Sequence, residues 1–170
     1  VRPPDPYLSV LAERGYREED APRFLSLWEE IEAAYLARLA AATAPYEDWR
    51  DRFRAAATET ARLVEAHPAE ARFVAVDALA AGEFGRERQR RFAVRFAAML
   101  DSARDELEDP GSVPAATGGW IVAIFFDRVY RRCTSAGGPD LPSQLPELMF
   151  LAISAYFGTE AGLEELAPPP

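Results

Sequence analysis

Few residues in this chain are equipped for chemistry, and their spacing argues against a reaction. The 170 residues hold one histidine, His67, and one cysteine, Cys133. A carboxylate-bridged metal pair in a helical bundle takes Glu-x-x-His motifs from facing helices. His67, preceded by Glu65 at the wrong spacing, cannot supply two. One histidine and one cysteine are also too few soft ligands for a zinc site. Arg131 and Arg132 beside Cys133 favour a thiolate, but a place near a helix C-terminus opposes it, so the thiol reads as inert. His67 stands directly before Pro68, where it reads as a helix-end cap rather than a base. Gly137-Gly138 lacks the strand, the lysine and the downstream glycine pattern of a phosphate loop. The expectation is a protein that is not an enzyme, with no catalytic residues, no metal and no cofactor.

The charges narrow the partners. With 28 acidic residues against 19 basic ones the formal charge is −9, which argues against direct contact with nucleic acid. The arginine-rich segment Arg86-Glu87-Arg88-Gln89-Arg90-Arg91 reads as a solvated, ion-paired helix face, because Glu83 and Glu87 lie at pairing distance along it. Arg95 and Arg128 sit nearer the apolar stripes and are better placed to orient a polar or anionic ligand. Asp77 and Asp127 read first as ion-pair partners. No apolar run reaches the ~20 residues of a membrane span; the richest, Trp120 to Phe126, ends at Asp127 and Arg128. The opening residues lack the apolar stretch of a signal peptide, and a lone cysteine closes no intrachain disulfide, so the cytoplasm is the expected compartment. Arginine is the only long basic residue and alanine is abundant, which hints at a GC-rich bacterial genome.

The elements that would position these residues are helical throughout. Apolar residues recur at three- and four-residue spacing, β-branched residues are sparse, and no alternating stretch is bounded by turns, so the spacing predicts an all-α bundle of about seven to eight helices. A short peripheral helix is expected over Pro6–Arg14, with Asp5 as its cap and Gly15 past its end, inside an N-terminal extension of residues 1–20. Residues 21–166 form the main domain. Its first helix spans Pro22–Ala42, capped by Asp20, with a stripe at Phe24, Trp28, Ile31, Tyr35 and Leu39. The next starts at Pro45 and stops at His67-Pro68, and a shorter one covers Ala69–Ala81. An amphipathic helix follows from Arg86 to Leu107, then helices over Ala115–Thr134 and Gln144–Phe157, and a last turn or two from Glu160 to Leu166. Residues 167–170 are expected to be a disordered tail.

Two of these helices lack a polar side. Trp120 to Phe126 are consecutive apolar residues, and Leu148 to Phe157 are interrupted only by Ser154. One such helix can be covered by its neighbours in a small bundle, but two, both near the C-terminus, exceed what a single subunit shelters easily. A symmetric homodimer is therefore expected, with Ile121, Phe125, Leu148, Met149, Ala152, Ile153 and Tyr156 at its interface. Gly118-Gly119 would permit another backbone to approach, or simply start a helix.

In the order of its segments the chain resembles the C-terminal ligand-binding and dimerisation domain of TetR-type transcriptional regulators. The likeness runs from about Phe24 to Glu165. It rests on Phe24-Leu25-Ser26-Leu27-Trp28, on Trp49 to Ala55, and on Glu65 to Phe73 passing into Val76 to Gly82. Further on it includes Arg90 to Ala93 with Phe96, and Gly118-Gly119 ahead of an apolar helix. Most specific are Leu145-Pro146-Glu147-Leu148 and Ala155 to Ala161. The resemblance implies a four-helix bundle across the dimer axis. It also implies a small apolar or aromatic effector between the helices from Pro22–Ala42 to Ala115–Thr134, with Trp28, Phe53, Phe73, Phe96, Trp120, Ile124 and Arg128 as its contacts. The family's basic three-helix head has no counterpart ahead of Phe24, so DNA contact belongs to a missing N-terminal head or, in a headless relative, to none. The other reading is a helical interaction or scaffold protein that dimerises or recruits a partner without a ligand.

Overall fold

A computed structural model of the chain describes residues 5–135 and 140–166. Among the described residues the only regular structure is helical. Helices α1 (Pro6–Arg14), α2 (Ala21–Thr43) and α3 (Trp49–Ala66) are followed by α4 (Pro68–Arg72), which runs without a break through a π-helical turn (Phe73–Asp77) into α5 (Ala78–Ala80). Then come α6 (Gly82–Asp101), α7 (Thr117–Thr134), α8 (Leu141–Phe157) and α9 (Thr159–Leu163). Taking the run from Pro68 to Ala80 as one rod leaves eight helices, an all-α bundle as the spacing predicts.

Local chemistry explains most boundaries. The Asp5 carboxylate accepts from the Tyr7 N–H, Pro6 holds the first position, and Gly15 ends α1 at φ 74°, a left-handed conformation that suits glycine. Asp48 accepts from the Asp51 N–H, so α3 starts at Trp49 rather than at Pro45. Asp140 accepts from the Ser143 N–H, and with Pro142 in the first turn it starts α8 at Leu141, three residues before the expected Gln144. Asp20 does not cap α2 with its side chain. Its oxygens instead take two hydrogen bonds from the Arg14 guanidinium, at 2.9 and 2.7 Å, and one from the Arg17 N–H. That carboxylate therefore fastens α1 to the turn before α2, and the arginine beside it holds its pKa below the usual value.

The helices enclose two cores. In the N-terminal one Leu8 and Leu11 of α1 join Phe24, Leu27 and Trp28 of α2, Phe73 of the π-helical turn and Phe92 of α6. Helix α1 is thus a core element and not the peripheral extension its position suggests. The C-terminal core gathers Trp49, Phe53 and Ala57 of α3, Leu100 of α6, Ile121 and Val122 of α7, and Met149, Ala152, Ile153 and Tyr156 of α8. Gly118 makes the junction of α6 and α7 possible: a Cβ there would lie 2.7 Å from the Ala97 carbonyl oxygen. Of the two reasons for the glycine pair, close approach applies to Gly118, while Gly119 faces open space. The expected tail at 167–170 and the glycines at 137 and 138 lie outside the described residues.

Candidate functional site

Between the two cores lies a cavity of about 570 Å³. Its walls come from α2, α3, the α4 rod with its π-helical turn, α6 and α7. The N-terminal core supplies Trp28 and Phe92, the C-terminal core Phe53, Leu100 and Val122, and Phe96 and Phe126 pack against both. The rings brace one another. Phe92 and Phe96 are 4.8 Å apart by centroid, Tyr35 meets each at 5.7 and 5.5 Å, and Phe53 meets Phe125 at 6.1 Å. Small residues set back from the rings make the space: Ala34, Ala56, Ala57, Ala66, Ala71 and Ala75 all line it.

Most of the charged and hydroxyl groups on the wall have a partner. Trp28 donates from its indole N–H to Glu32 at 3.1 Å, and Arg95 donates to the other oxygen of that carboxylate at 2.5 Å. Arg38 and Arg62 both donate to Glu59, at 3.0 and 2.8 Å. The Arg62 and Arg38 guanidiniums hold the Glu59 carboxyl down at about 2. The Tyr35 and Thr60 hydroxyls are 2.7 Å apart, and burial pushes the Tyr35 phenol up to about 12. His67 stands between α3 and α4, where its side chain makes no capping bond; it lines the cavity with its Nδ1 4.0 Å from Glu70. His67 does close α3 as its C-cap, through its backbone N–H to the Leu63 carbonyl at 2.8 Å, and the same residue adds its side chain to the wall.

Of the residues expected to meet a ligand, Trp28, Phe53 and Phe96 line this cavity and the others do not. Phe73 is fully buried in the N-terminal core, 4.6 Å from Phe24 by ring centroid, and its neighbours Val74 and Ala75 reach the wall in its place. Trp120 is 61% exposed and Ile124 37% exposed, on the outer side of α7. Arg128 is half-buried and off the wall. A helix turns about 100° per residue, so Val122, Phe125, Phe126 and Val129 share the inward side of α7 and Trp120, Ile124 and Asp127 the outward one. The run from Trp120 to Phe126 holds no polar residue that would distinguish these sides. Tyr35 and Thr60 were not among the expected contacts; the signal for Tyr35 was its place on the α2 stripe, four residues before Leu39.

The residues expected at a dimer interface also move inward. Ile121, Leu148, Met149, Ala152, Ile153 and Tyr156 are each at most 5% exposed within one subunit, and Phe125 lines the cavity. Helices α3, α7 and α9 all pack on α8, so this helix is sheltered without a second copy. Exposed apolar side chains lie elsewhere, at Trp120, Ile124 and Tyr130 on α7, Leu151 on α8, and Leu163 and Leu166 near the C-terminus, with others scattered over the rest of the chain, Val94 of α6 the most exposed of them.

Other charged groups are structural. Glu87 pairs with Arg90 and Arg91, and Glu83 with Arg86, which makes the arginine-rich face an ion-paired one. Asp77 pairs with Arg72, though burial raises its pKa, and Asp127 pairs with Arg131. Burial raises the Cys133 thiol as well, which lowers its reactivity at neutral pH. Among the described residues no three of His, Cys, Asp and Glu are grouped to hold a metal ion, and no helix is long and apolar enough to cross a membrane. Compared with known proteins, the chain matches no family model, no curated protein and no solved structure.

Proposed function

We propose that this chain is the ligand-sensing and dimerisation domain of a TetR-like bacterial transcriptional regulator, and that a small apolar or aromatic effector binds in the cavity between its two cores. The cavity carries this reading. Its volume of about 570 Å³ falls within the roughly 300–1,000 Å³ of small-molecule sites, and stiff aromatic rings with a few placed polar atoms form its wall. A ligand there touches both cores at once, so it favours one relative placement of them over another, which is the requirement for a signal. The π-helical turn supports the same reading. Val74 and Ala75 face the cavity while Phe73 packs in the core that holds α1, so a shift at the wall reaches the N-terminal end of the molecule.

In this reading a second copy pairs through the outward side of α7, around Trp120 and Ile124, together with Leu151 of α8, and not through the buried residues of α8. The same exposed residues favour the second reading, an interaction protein with no small-molecule ligand. Thermal denaturation with neutral aromatic compounds tests the cavity. Binding to the native state raises the melting temperature with ligand concentration and changes the fluorescence of Trp28. No shift with any such compound, alongside a stable dimer, would favour the interaction protein. Sedimentation equilibrium tests the pairing: a monomer at micromolar concentration removes it.

A further inference from the structure

We infer that the ligand is an uncharged, mainly apolar molecule carrying one hydrogen-bond donor, a hydroxyl or N–H, which it gives to the oxygen of Tyr35. This rests on the cavity being a ligand site, as proposed above, and adds the class of molecule.

The donor requirement follows from counting protons. Thr60 has one hydroxyl hydrogen, and it points to the Ala56 carbonyl oxygen at 2.7 Å. The 2.7 Å contact between Tyr35 and Thr60 must then use the phenol hydrogen, with Thr60 accepting. Tyr35 has spent its only donor, and no described residue donates to its oxygen in return. Desolvation keeps the phenol protonated, so the group is neutral and can only accept a further bond; Tyr35 and Thr60 both line the cavity, from which a ligand would supply it. An ether or ketone brings a second acceptor and gains nothing there; an alcohol, phenol or amide N–H completes the chain from ligand to Tyr35 to Thr60 to Ala56.

The absence of charge follows from the rim. Glu32, Glu59 and Glu70 carry the negative charges near the wall, and Arg38, Arg62 and Arg95 the positive ones. Glu59 is held by Arg38 and Arg62, Glu32 by Arg95 and the Trp28 N–H, and Glu70 lies beside His67. A carboxylate or ammonium ligand would leave water for a wall of rings, and the charges of opposite sign at the rim already face partners, so the cost of stripping its water is poorly returned.

Four biphenyls of equal core separate the possibilities: 4-phenylphenol, 4-methoxybiphenyl, biphenyl-4-carboxylate and 4-phenylbenzylammonium, titrated into the full chain by calorimetry or Trp fluorescence. The expected result is that 4-phenylphenol binds about tenfold more tightly than the methoxy compound, with both charged compounds weaker than either. In the variant Tyr35→Phe/Thr60→Val the phenol's advantage falls to about onefold. Methoxy affinity there stays within about threefold of wild type, which shows that the cavity is still formed. Equal binding of phenol and ether, a preference that survives the double variant, or tighter binding of a charged compound overturns the ligand class and leaves the cavity reading standing. If none of the four binds, the cavity reading fails and takes this inference with it.

Discussion

In the C-terminal core Trp49 packs against Phe53, Tyr156 and Phe157 at ring centroid distances of 5.2 to 5.6 Å, whereas the seam next to it, built from the same kinds of side chain, encloses about 570 Å³. Both regions mix large rings with alanine. In the core the small residues Ala57, Ala103 and Ala152 let neighbouring helices close on the rings. At the seam alanines come from α2, α3 and the α4 rod together, and the rings of Phe92, Phe96 and Phe125 prop the walls apart. Phe53 and Ala57 belong to both regions, so one helix serves a filled core on one side and an open site on another. The open seam differs here from the filled core by which small residues meet, not by which residues are present.

The comparison can be broken by mutation. The largest effect belongs to the filled side: Ile153→Ala, at a fully buried position, should cost about 3 kcal/mol in urea unfolding, since the dense surroundings cannot collapse onto the gap. A cost below about 1 kcal/mol would mean the C-terminal core is not close-packed. On the open side the sign changes. Ala71→Leu places bulk in existing space, so stability should stay within about 1 kcal/mol of wild type or rise, while calorimetry should show 4-phenylphenol binding lost. Destabilisation by several kcal/mol would show that the seam is filled after all.

The charges at the rim give a smaller, pH-dependent effect. The Glu59 carboxyl is held at about 2 against an ordinary 4.5, so its stabilising contribution is present above pH 4.5 and is lost as pH falls toward 2. Glu59→Gln should flatten the acid limb of stability in that window, with a cost at neutral pH below about 1 kcal/mol because Arg38 and Arg62 are half exposed. An unchanged acid limb would remove Glu59 as a clamp. Least of all should stability respond to Trp120→Ser, within about 0.5 kcal/mol in the monomer, because the indole is 61% exposed. Sedimentation should nonetheless show weaker self-association; an unchanged dimer constant would put the contact elsewhere.

Much of this architecture was legible in the chain because helix ends are set locally. Asp5, Pro6 and Gly15 bound α1 at the expected residues, and His67-Pro68 ends α3. Two of the starts that moved were also local matters, since Asp48 and Asp140 cap their helices with carboxylates that the prolines at 45 and 142 had obscured. The helix expected from Arg86 to Leu107 runs instead from Gly82 to Asp101 and tightens into a 3-10 turn over Ser102–Glu106. The site was legible only in part. Trp28, Phe53 and Phe96 lie on helices with a clear polar side, so their direction was readable, whereas Phe73, Trp120 and Ile124 lie where apolar residues crowd several sides.

What the sequence by itself determined is the helical class, the order and approximate ends of the rods, and the supply of rings and alanines. Which side of α7 faces inward, the burial of α8 by its own subunit, and the placing of His67, Tyr35 and Thr60 on one wall were decided by the tertiary structure. The reason is physical. Capping and turn energies act over three or four residues, but an unbroken apolar run such as Trp120 to Phe126 or Leu148 to Leu151 has no local preference for its rotation, and packing against distant segments selects one.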